Sequence, residues 1–218
     1  MNKELVKRIL SSIILIPVTF FIILKGSIFF IFFILTCYLI AAFEWYKMSK
    51  DKPYFFLGLL FLTLSFISIY NLRNQFEGDH LYLLFVTIIC VMTDIGGYLF
   101  GKIIKGPKLI KISPKKTFSG MIGGYFLSIV SINFFLNNTY LDRSIEFSKE
   151  VFIFVVLIST VSQLGDILIS YFKRKSKIKD TGKMIPGHGG ILDRVDGMIF
   201  AFPFSYIVFS IGLISFFR

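Results

Sequence analysis

The residues best suited to chemistry in this 218-residue chain are concentrated in one basic stretch between two apolar runs. This stretch, from Ser170 to Asp196, reads SYFKRKSKIKDTGKMIPGHGGILDRVD. Its lysines and arginines can bind anions, its aspartates can bind a metal ion, and its glycines expose backbone N–H groups. A loop that merely joins two membrane helices needs none of these groups. We therefore interpret the stretch as a phosphate-handling site at a membrane surface.

Four aspartates are predicted to lie near this loop. Asp94 and Asp166 are embedded in apolar runs, where an unpaired carboxylate costs about 2 to 4 kcal/mol. Each precedes the next basic loop by seven residues, which places both carboxylates about 10 Å inside the same membrane boundary. Asp193 and Asp196 stand three residues apart at the start of the last apolar run, so both project from one helix face.

These carboxylates have two interpretations. For Asp94 and Asp166 alone, a buried salt bridge to a loop cation and a metal site are equally reasonable. Four carboxylates at one membrane face favour a metal site, and oxygen ligands without a cysteine or histidine pair suit Mg²⁺. Cys37 and Cys90 lie in apolar runs with no cysteine or histidine at ligand spacing, so neither zinc nor a disulfide framework is predicted.

A second basic loop, from Gly101 to Gly124, holds six lysines followed by Thr117, Ser119 and further glycines at the opening of a helix. Backbone N–H groups and the helix dipole at such a place can bind phosphate oxygens. Pro107 stands where a Walker A loop would carry its lysine, so P-loop hydrolysis is not predicted. The alternative is that these lysines only retain the loop in the cytoplasm. The presence of two such loops and four acids at one membrane face disfavours this alternative.

Two smaller features have alternative interpretations. His188, within PGHGG, can contact a phosphate, act as an acid or cap the next helix, and we favour a substrate or loop role over proton transfer. Glu44, Trp45 and Lys47 end the second apolar run at the predicted cytoplasmic interface, where tryptophan is common. An interfacial anchor is the favoured interpretation there.

The elements that must position these residues are membrane helices. The chain is 55% hydrophobic and 17% charged with a mean hydropathy of +0.76, which excludes a soluble globule. We predict an all-α integral membrane protein with about seven transmembrane helices, in one domain over 1–218 with N-terminal helices in 1–80 and catalytic helices and loops in 81–218. A membrane span requires roughly 20 residues, and the first two predicted spans are short by this measure. The predicted spans are 9–24, 26–43, 54–72, 81–100, 119–136, 151–172 and 197–217.

Sidedness follows from the cations. The N-terminal tail and the loops 44–53, 101–118 and 173–196 carry 19 of the 24 lysines and arginines. Because positive charge is retained in the cytoplasm, these segments are predicted to be cytoplasmic and the C-terminus external, in agreement with seven spans. The first span is expected to be retained, since no small-residue cleavage site follows it. Gly26 separates the first two runs, which favours a helical hairpin over one distorted segment.

With these residues in view, the chain resembles the phosphatidate cytidylyltransferase family, the bacterial CDP-diacylglycerol synthases. The basic stretch resembles the family's C-terminal signature. TDIGGYLFGK, KISPKKTFSGMIGG, QLGD at 163–166 and the early segment AAFEWYKMS agree as well. The chain is short for the family between Trp45 and Asp94, where a helix pair is missing. The signature residues are Ser170, Lys173, Arg174, Lys179, Asp180, Gly182, Pro186, His188, Gly189, Gly190, Asp193, Arg194 and Asp196.

The resemblance implies a reaction of CTP with phosphatidic acid that gives CDP-diacylglycerol and pyrophosphate with Mg²⁺, and a second cation is possible. It also implies a homodimer in the bacterial cytoplasmic (inner) membrane, surrounded by membrane lipids, with no nucleic-acid partner. The metal ligands would be Asp166, Asp193 and Asp196. The catalytic set would comprise these three with Lys173, Arg174 and His188. Substrate binding would involve Asp94, Lys115, Lys116, Thr117, Ser170, Lys179, Asp180, Gly189, Gly190 and Arg194.

Two other functions are weaker alternatives. The run DRVDGMIFA at 193–201 faintly resembles the acidic motif of CDP-alcohol phosphotransferases but lacks its later arginine and second aspartate pair. A transporter or anion channel would place polar residues at mid-depth in several helices. Here the charges gather at one interface and the middle of each span is apolar.

Overall fold

The computed structural model describes residues 17–75, 80–110, 113, 116–138, 147–182, 184 and 189–213. Within these ranges the chain is helical and contains no strand, although Lys108 and Thr117 form an isolated antiparallel bridge. The all-α prediction is confirmed. The helices are α1 (17–25), α2 (Ser27–Ser49), α3 (Phe55–Asn74), α4 (Leu81–Ile103), α5 (Phe118–Asn138), α6 (Lys149–Lys175), α7 (Leu192–Val195) and α8 (Met198–Ser210).

The helices α2 to α6 are each long and apolar enough to cross a membrane. Helix α8 is apolar but shorter, with Pro203 inside it. These six helices and α1 coincide with the seven predicted apolar runs, so this is a multi-pass membrane protein. A helix is the expected form for such segments, because in hydrocarbon each backbone polar group must find its partner within the segment.

The helical conformation is interrupted at Gly26, between α1 and α2. Gly26 has a backbone φ of +63° and Ser27 a φ of +54°, a region that glycine enters at little cost. Arg73 of α3 packs against this break, where its Nε donates to the carbonyl oxygen of Ile23 at 2.9 Å and its guanidinium lies over the ring of Phe30. The break fits two separate helices better than one distorted segment.

Helices α4 and α5 approach closely because glycines face each other along both. A Cβ atom at Gly96 would overlap the carbonyl oxygen of Gly123, and one at Gly120 would lie 2.6 Å from that of Gly97. Side chains at these positions would force the helices apart. The close approach brings the C-terminal half of α4, which begins near Asp94, beside the segment that leads into α5.

Helix α6 packs against α4, α5 and α8. Gly165 lies against Phe200 and the backbone of Asp196, and Gly197 lies against Ser162. These small residues let the start of α8 approach the middle of α6. Asp166, one residue after Gly165, is therefore held near Asp196 although the two are far apart in the sequence.

Candidate active site

The loop before α5 positions Lys116. Leu109 N donates to the carbonyl oxygen of Lys116 at 2.8 Å, and Phe118 N donates to that of Pro107 at 3.1 Å, so the two sides of the loop are tied together. Thr117 Oγ1 accepts a hydrogen bond from Gly120 N at 3.1 Å. The predicted substrate residue Thr117 thus caps α5, while its neighbour Lys116 is directed towards α6.

Lys116 and Asp166 form the first ion pair of the site. Lys116 Nζ lies 2.5 Å from Asp166 Oδ2, and their side chains are 22% and 28% exposed. Ser170, one helical turn after Asp166, donates from its hydroxyl to Asp166 Oδ1 at 3.3 Å. The pair remains partly accessible, so a ligand can reach both of its charges.

Asp193 forms the second ion pair and is more enclosed. Lys173 Nζ lies 2.9 Å from Asp193 Oδ1, and the two side chains are 10% and 4% exposed. Asp193 Oδ2 accepts from Thr181 N at 2.7 Å, Gly190 N at 2.9 Å and Thr181 Oγ1 at 3.0 Å. Gly189, at a φ of +91°, lets the loop wrap around this carboxylate.

These donors decide the charge of Asp193. Burial acts to raise the pKa of Asp193, but the N–H of Gly190, the ammonium group of Lys173 and the N–H of Thr181 together hold that pKa below its usual value. Asp193 is therefore a carboxylate whose hydrogen-bonding capacity is taken up by the protein. A metal bound at Asp193 would have to replace one of these contacts.

Asp196 links the two ion pairs. Lys173 Nζ lies 3.7 Å from Asp196 Oδ2. Burial raises the pKa of Asp196 well above its usual value, the carboxylates of Asp166 and Asp94 raise it further, and Lys173 and Lys116 partly oppose the shift. Three of the four predicted acids, Asp94, Asp166 and Asp196, are thus close enough to repel one another.

The donor chemistry of this cluster fits a hard divalent cation. Among the described residues, no three acidic, histidine or cysteine side chains are grouped closely enough to hold a metal by themselves. Mg²⁺ usually binds through one or two carboxylates completed by water and substrate phosphates. Asp166 and Asp196 are more accessible for that role than Asp193, because their side chains are 28% and 13% exposed, against 4% for Asp193. Asp196 also accepts a hydrogen bond from Gly197 N at 3.0 Å through its Oδ1.

Other predicted site residues lie around this centre. Arg174 donates to the carbonyl oxygen of Ile178 at 3.0 Å, and Lys116 and Arg194 lie within electrostatic range of Asp94. Lys115 and His188 fall outside the described residues. Five of the predicted residues are exposed, namely Asp94, Arg174, Lys179, Asp180 and Arg194.

Sequence reasoning missed the role of Glu44. This side chain of α2 is 3% exposed and accepts hydrogen bonds from Leu192 N at 2.8 Å, Thr181 Oγ1 at 2.9 Å and Ile191 N at 3.1 Å. Trp45 is also buried and donates to the carbonyl oxygen of Phe55 at 3.0 Å. The predicted interfacial anchor is wrong, since both side chains lie inside the protein. The available signal was the segment AAFEWYKMS, which contains Glu44 and resembles an early segment of the family.

Comparison with known proteins agrees with the sequence motifs. The chain matches the model of the cytidylyltransferase family over residues 6–78 and 51–212. A phosphatidate cytidylyltransferase of Rickettsia bellii is 35% identical over 214 residues, which covers 95% of this chain and 91% of that protein. The one from Rickettsia felis is 34% identical over 219 residues, with 95% and 93% covered. The one from Staphylococcus aureus strain COL is 38% identical over 157 residues, with 70% and 57% covered.

Proposed function

Because this chain belongs to the cytidylyltransferase family and groups with its phosphatidate cytidylyltransferases, we propose that it transfers the cytidylyl group of CTP to phosphatidate. The products would be CDP-diacylglycerol and pyrophosphate. The observation that supports this most directly is the alternation of charge in the site, where Lys116 and Lys173 alternate with Asp166, Asp193 and Asp196. Such an arrangement suits two polyanionic substrates that must be brought together.

In this reaction an oxygen of the phosphatidate phosphate attacks the α-phosphorus of CTP. The new phosphorus–oxygen bond forms as the bond to the bridging oxygen of the β-phosphate breaks, and that oxygen leaves with pyrophosphate. The attacking group is already anionic, so no strong general base is needed. Catalysis would rest on alignment of the two phosphates and on neutralisation of their charge.

The acidic residues of the site would bind the metal ion, and the basic residues would bind phosphate. Of the three predicted ligands, Asp166 and Asp196 are the more accessible and would hold Mg²⁺, whereas Asp193 would have to give up a hydrogen bond to join them. The bound ion would neutralise charge on the triphosphate. Lys116, in the more open ion pair, would contact phosphate oxygens directly, and Lys173 is the second lysine proposed for this role. The exposed cations Arg174, Lys179 and Arg194 would bind the more distant phosphates.

We also propose that the site faces the cytoplasm, since the basic loops surround it. Single cysteines at Lys50 and Lys177, both exposed near the site end of the bundle, would test this in a background with Cys37 and Cys90 replaced. In right-side-out membrane vesicles a membrane-impermeant maleimide should leave both unlabelled, whereas inverted vesicles should label both. Labelling in right-side-out vesicles would contradict the orientation.

The activity itself is testable with purified protein in detergent. Labelled CTP, phosphatidate and Mg²⁺ should yield labelled CDP-lipid together with pyrophosphate, and omission of phosphatidate or addition of a chelator should stop both. The variant Asp166→Asn is the matched negative control. If folded wild-type protein forms neither product, the proposed function is wrong. Replacement of CTP by dCTP or another nucleotide in the same assay would define base and sugar selectivity.

A further inference from the structure

We infer that Glu44 is a positioning residue that fixes the loop around Asp193 and so sets the geometry of the acid cluster. The inference rests on the proposed function for its consequence in catalysis. Its structural basis is independent of that function. Glu44 belongs to α2, whereas every group that it bonds belongs to the segment between α6 and the end of α7.

Three consecutive backbone N–H groups are shared between Glu44 and Asp193. Gly190 N donates to Asp193 Oδ2, and the next two N–H groups, of Ile191 and Leu192, donate to the two oxygens of Glu44. A single short piece of backbone is therefore held from two sides by two carboxyl groups. A shift of the Glu44 carboxylate would move the donor that serves Asp193.

Thr181 connects the two carboxyl groups a second time. Its hydroxyl lies 2.9 Å from Glu44 Oε2 and 3.0 Å from Asp193 Oδ2, and its backbone N–H donates to Asp193. A hydroxyl has one proton to donate, so it serves the two acceptors alternately. The loop is thus tied to Glu44 on both of its edges, at 181 and at 190–192.

The glycines of the loop fit this carboxylate closely. A Cβ atom at Gly182 would lie 2.5 Å from Glu44 Oε1, and one at Gly190 would overlap both carboxylate oxygens. The loop backbone therefore packs directly against the Glu44 side chain. This contact explains why these two positions of the basic stretch are glycine, without any role in phosphate binding.

The effect extends from Asp193 to the other acids through Lys173. Lys173 Nζ contacts both Asp193 and Asp196. If Asp193 shifts, Lys173 is free to move towards Asp196 and to lower the negative charge that a divalent cation requires. Glu44 would act in this way without touching either substrate.

The test compares Glu44→Gln with Glu44→Asp. Glutamine replaces one acceptor oxygen by an NH₂ group that faces backbone or hydroxyl donors, so kcat should fall at least tenfold. The thermal midpoint in detergent should fall less than in Asp193→Asn, which also loses its ion pair with Lys173. Aspartate restores two acceptors and should recover part of kcat. Thr181→Val should also lower kcat. The kcat of the double variant Glu44→Gln/Thr181→Val should be no lower than that of the less active single variant.

Two control variants match the chemistry and the location. Glu150→Gln removes one carboxylate from an exposed position at the other end of α6. Ser49→Ala alters a buried side chain of α2 that bonds to Trp45 O in its own helix. Both should retain wild-type kcat. Wild-type kcat in Glu44→Gln, or equal losses in Glu44→Gln and Ser49→Ala, would overturn the inference.

A second measurement is independent of turnover. Trypsin cleavage after Lys177 and Lys179, followed by mass spectrometry, should be several-fold faster in Glu44→Gln and Thr181→Val than in wild-type and Ser49→Ala protein. An unchanged cleavage rate would contradict the positioning role even if the wild-type enzyme proved inactive. Inactive wild-type protein with the expected cleavage pattern would instead contradict only the proposed function.

Discussion

The ammonium nitrogen of Lys173 lies 2.9 Å from Oδ1 of Asp193 in a contact that is almost wholly enclosed by protein. A second close ion pair of the site, between Lys116 and Asp166, is partly open to solvent. The two pairs therefore differ in what they contribute. Removal of Asp193 from the enclosed pair leaves the buried Lys173 with only its longer contact to Asp196, whereas removal of a partner from the open pair leaves a charge that water can reach.

Asp193→Asn should lower stability as well as activity. The amide removes the nearer of the two carboxylates that compensate Lys173 and directs an NH₂ group at Lys173 or at the N–H groups of Thr181 and Gly190. Loss of one partner of a buried pair costs about 3 to 5 kcal/mol. Thermal unfolding in detergent, followed by size-exclusion fluorescence, should show a clearly lower midpoint. An unchanged midpoint would mean that the buried network contributes little to folding.

Asp166→Asn should abolish turnover while the protein remains folded. The Lys116 to Asp166 pair is partly exposed, so its loss should change the free energy of unfolding by less than about 1 kcal/mol. The proposed metal ligand is lost at the same time, and CDP-lipid formation should fall at least a hundredfold.

Ser170→Ala, which removes only the 3.3 Å contact to Asp166, is the control and should have a much smaller effect. Substantial turnover by Asp166→Asn would remove Asp166 from the proposed metal site.

Much of the helical framework is predictable because lipid imposes a simple rule on sequence. Apolar runs predicted at 54–72 and 81–100 correspond to Phe55–Asn74 and Leu81–Ile103. The helices extend a few residues beyond the apolar runs, since polar residues at the interface continue the backbone hydrogen bonding. The equal depth of Asp94 and Asp166 follows from their equal distance to the next basic loop. The proximity of Asp166 to Asp196 depends in addition on the close packing of α6 against the start of α8.

The interior of the site was not predictable in the same way. Nothing in the residue type of Glu44 distinguishes an interfacial acid from one that bonds Thr181 and Leu192, which lie more than 130 residues away. Likewise, the hydrogen bonds of Asp193 depend on the path of a glycine-containing loop rather than on its composition. Contacts of this kind are set by backbone conformation after the helices have packed.

The stability of the protein should fall on acidification in a way that depends on Asp193. Its pKa is held below the ordinary value of 3.8 in the folded protein. The stability that this carboxylate contributes is therefore complete above that value and is lost as the pH falls through the lowered pKa. Thermal midpoints measured across acidic pH should converge for wild-type and Asp193→Asn protein. A constant difference between the two proteins down to the most acidic pH would contradict this assignment.

The close packing of α4 on α5 can be tested with two adjacent glycines. A Cβ atom at Gly96 would overlap the backbone of Gly123, whereas one at Gly97 would lie 3.8 Å from Gly120 O, an ordinary contact. Both replacements by alanine gain up to about 1 kcal/mol of helix propensity. Gly96→Ala should nevertheless lower the thermal midpoint and the activity, because the helices must separate and carry Asp94 and Lys116 apart. Gly97→Ala should match or exceed wild-type stability. Equal midpoints for the two variants would show that α4 and α5 do not depend on this approach.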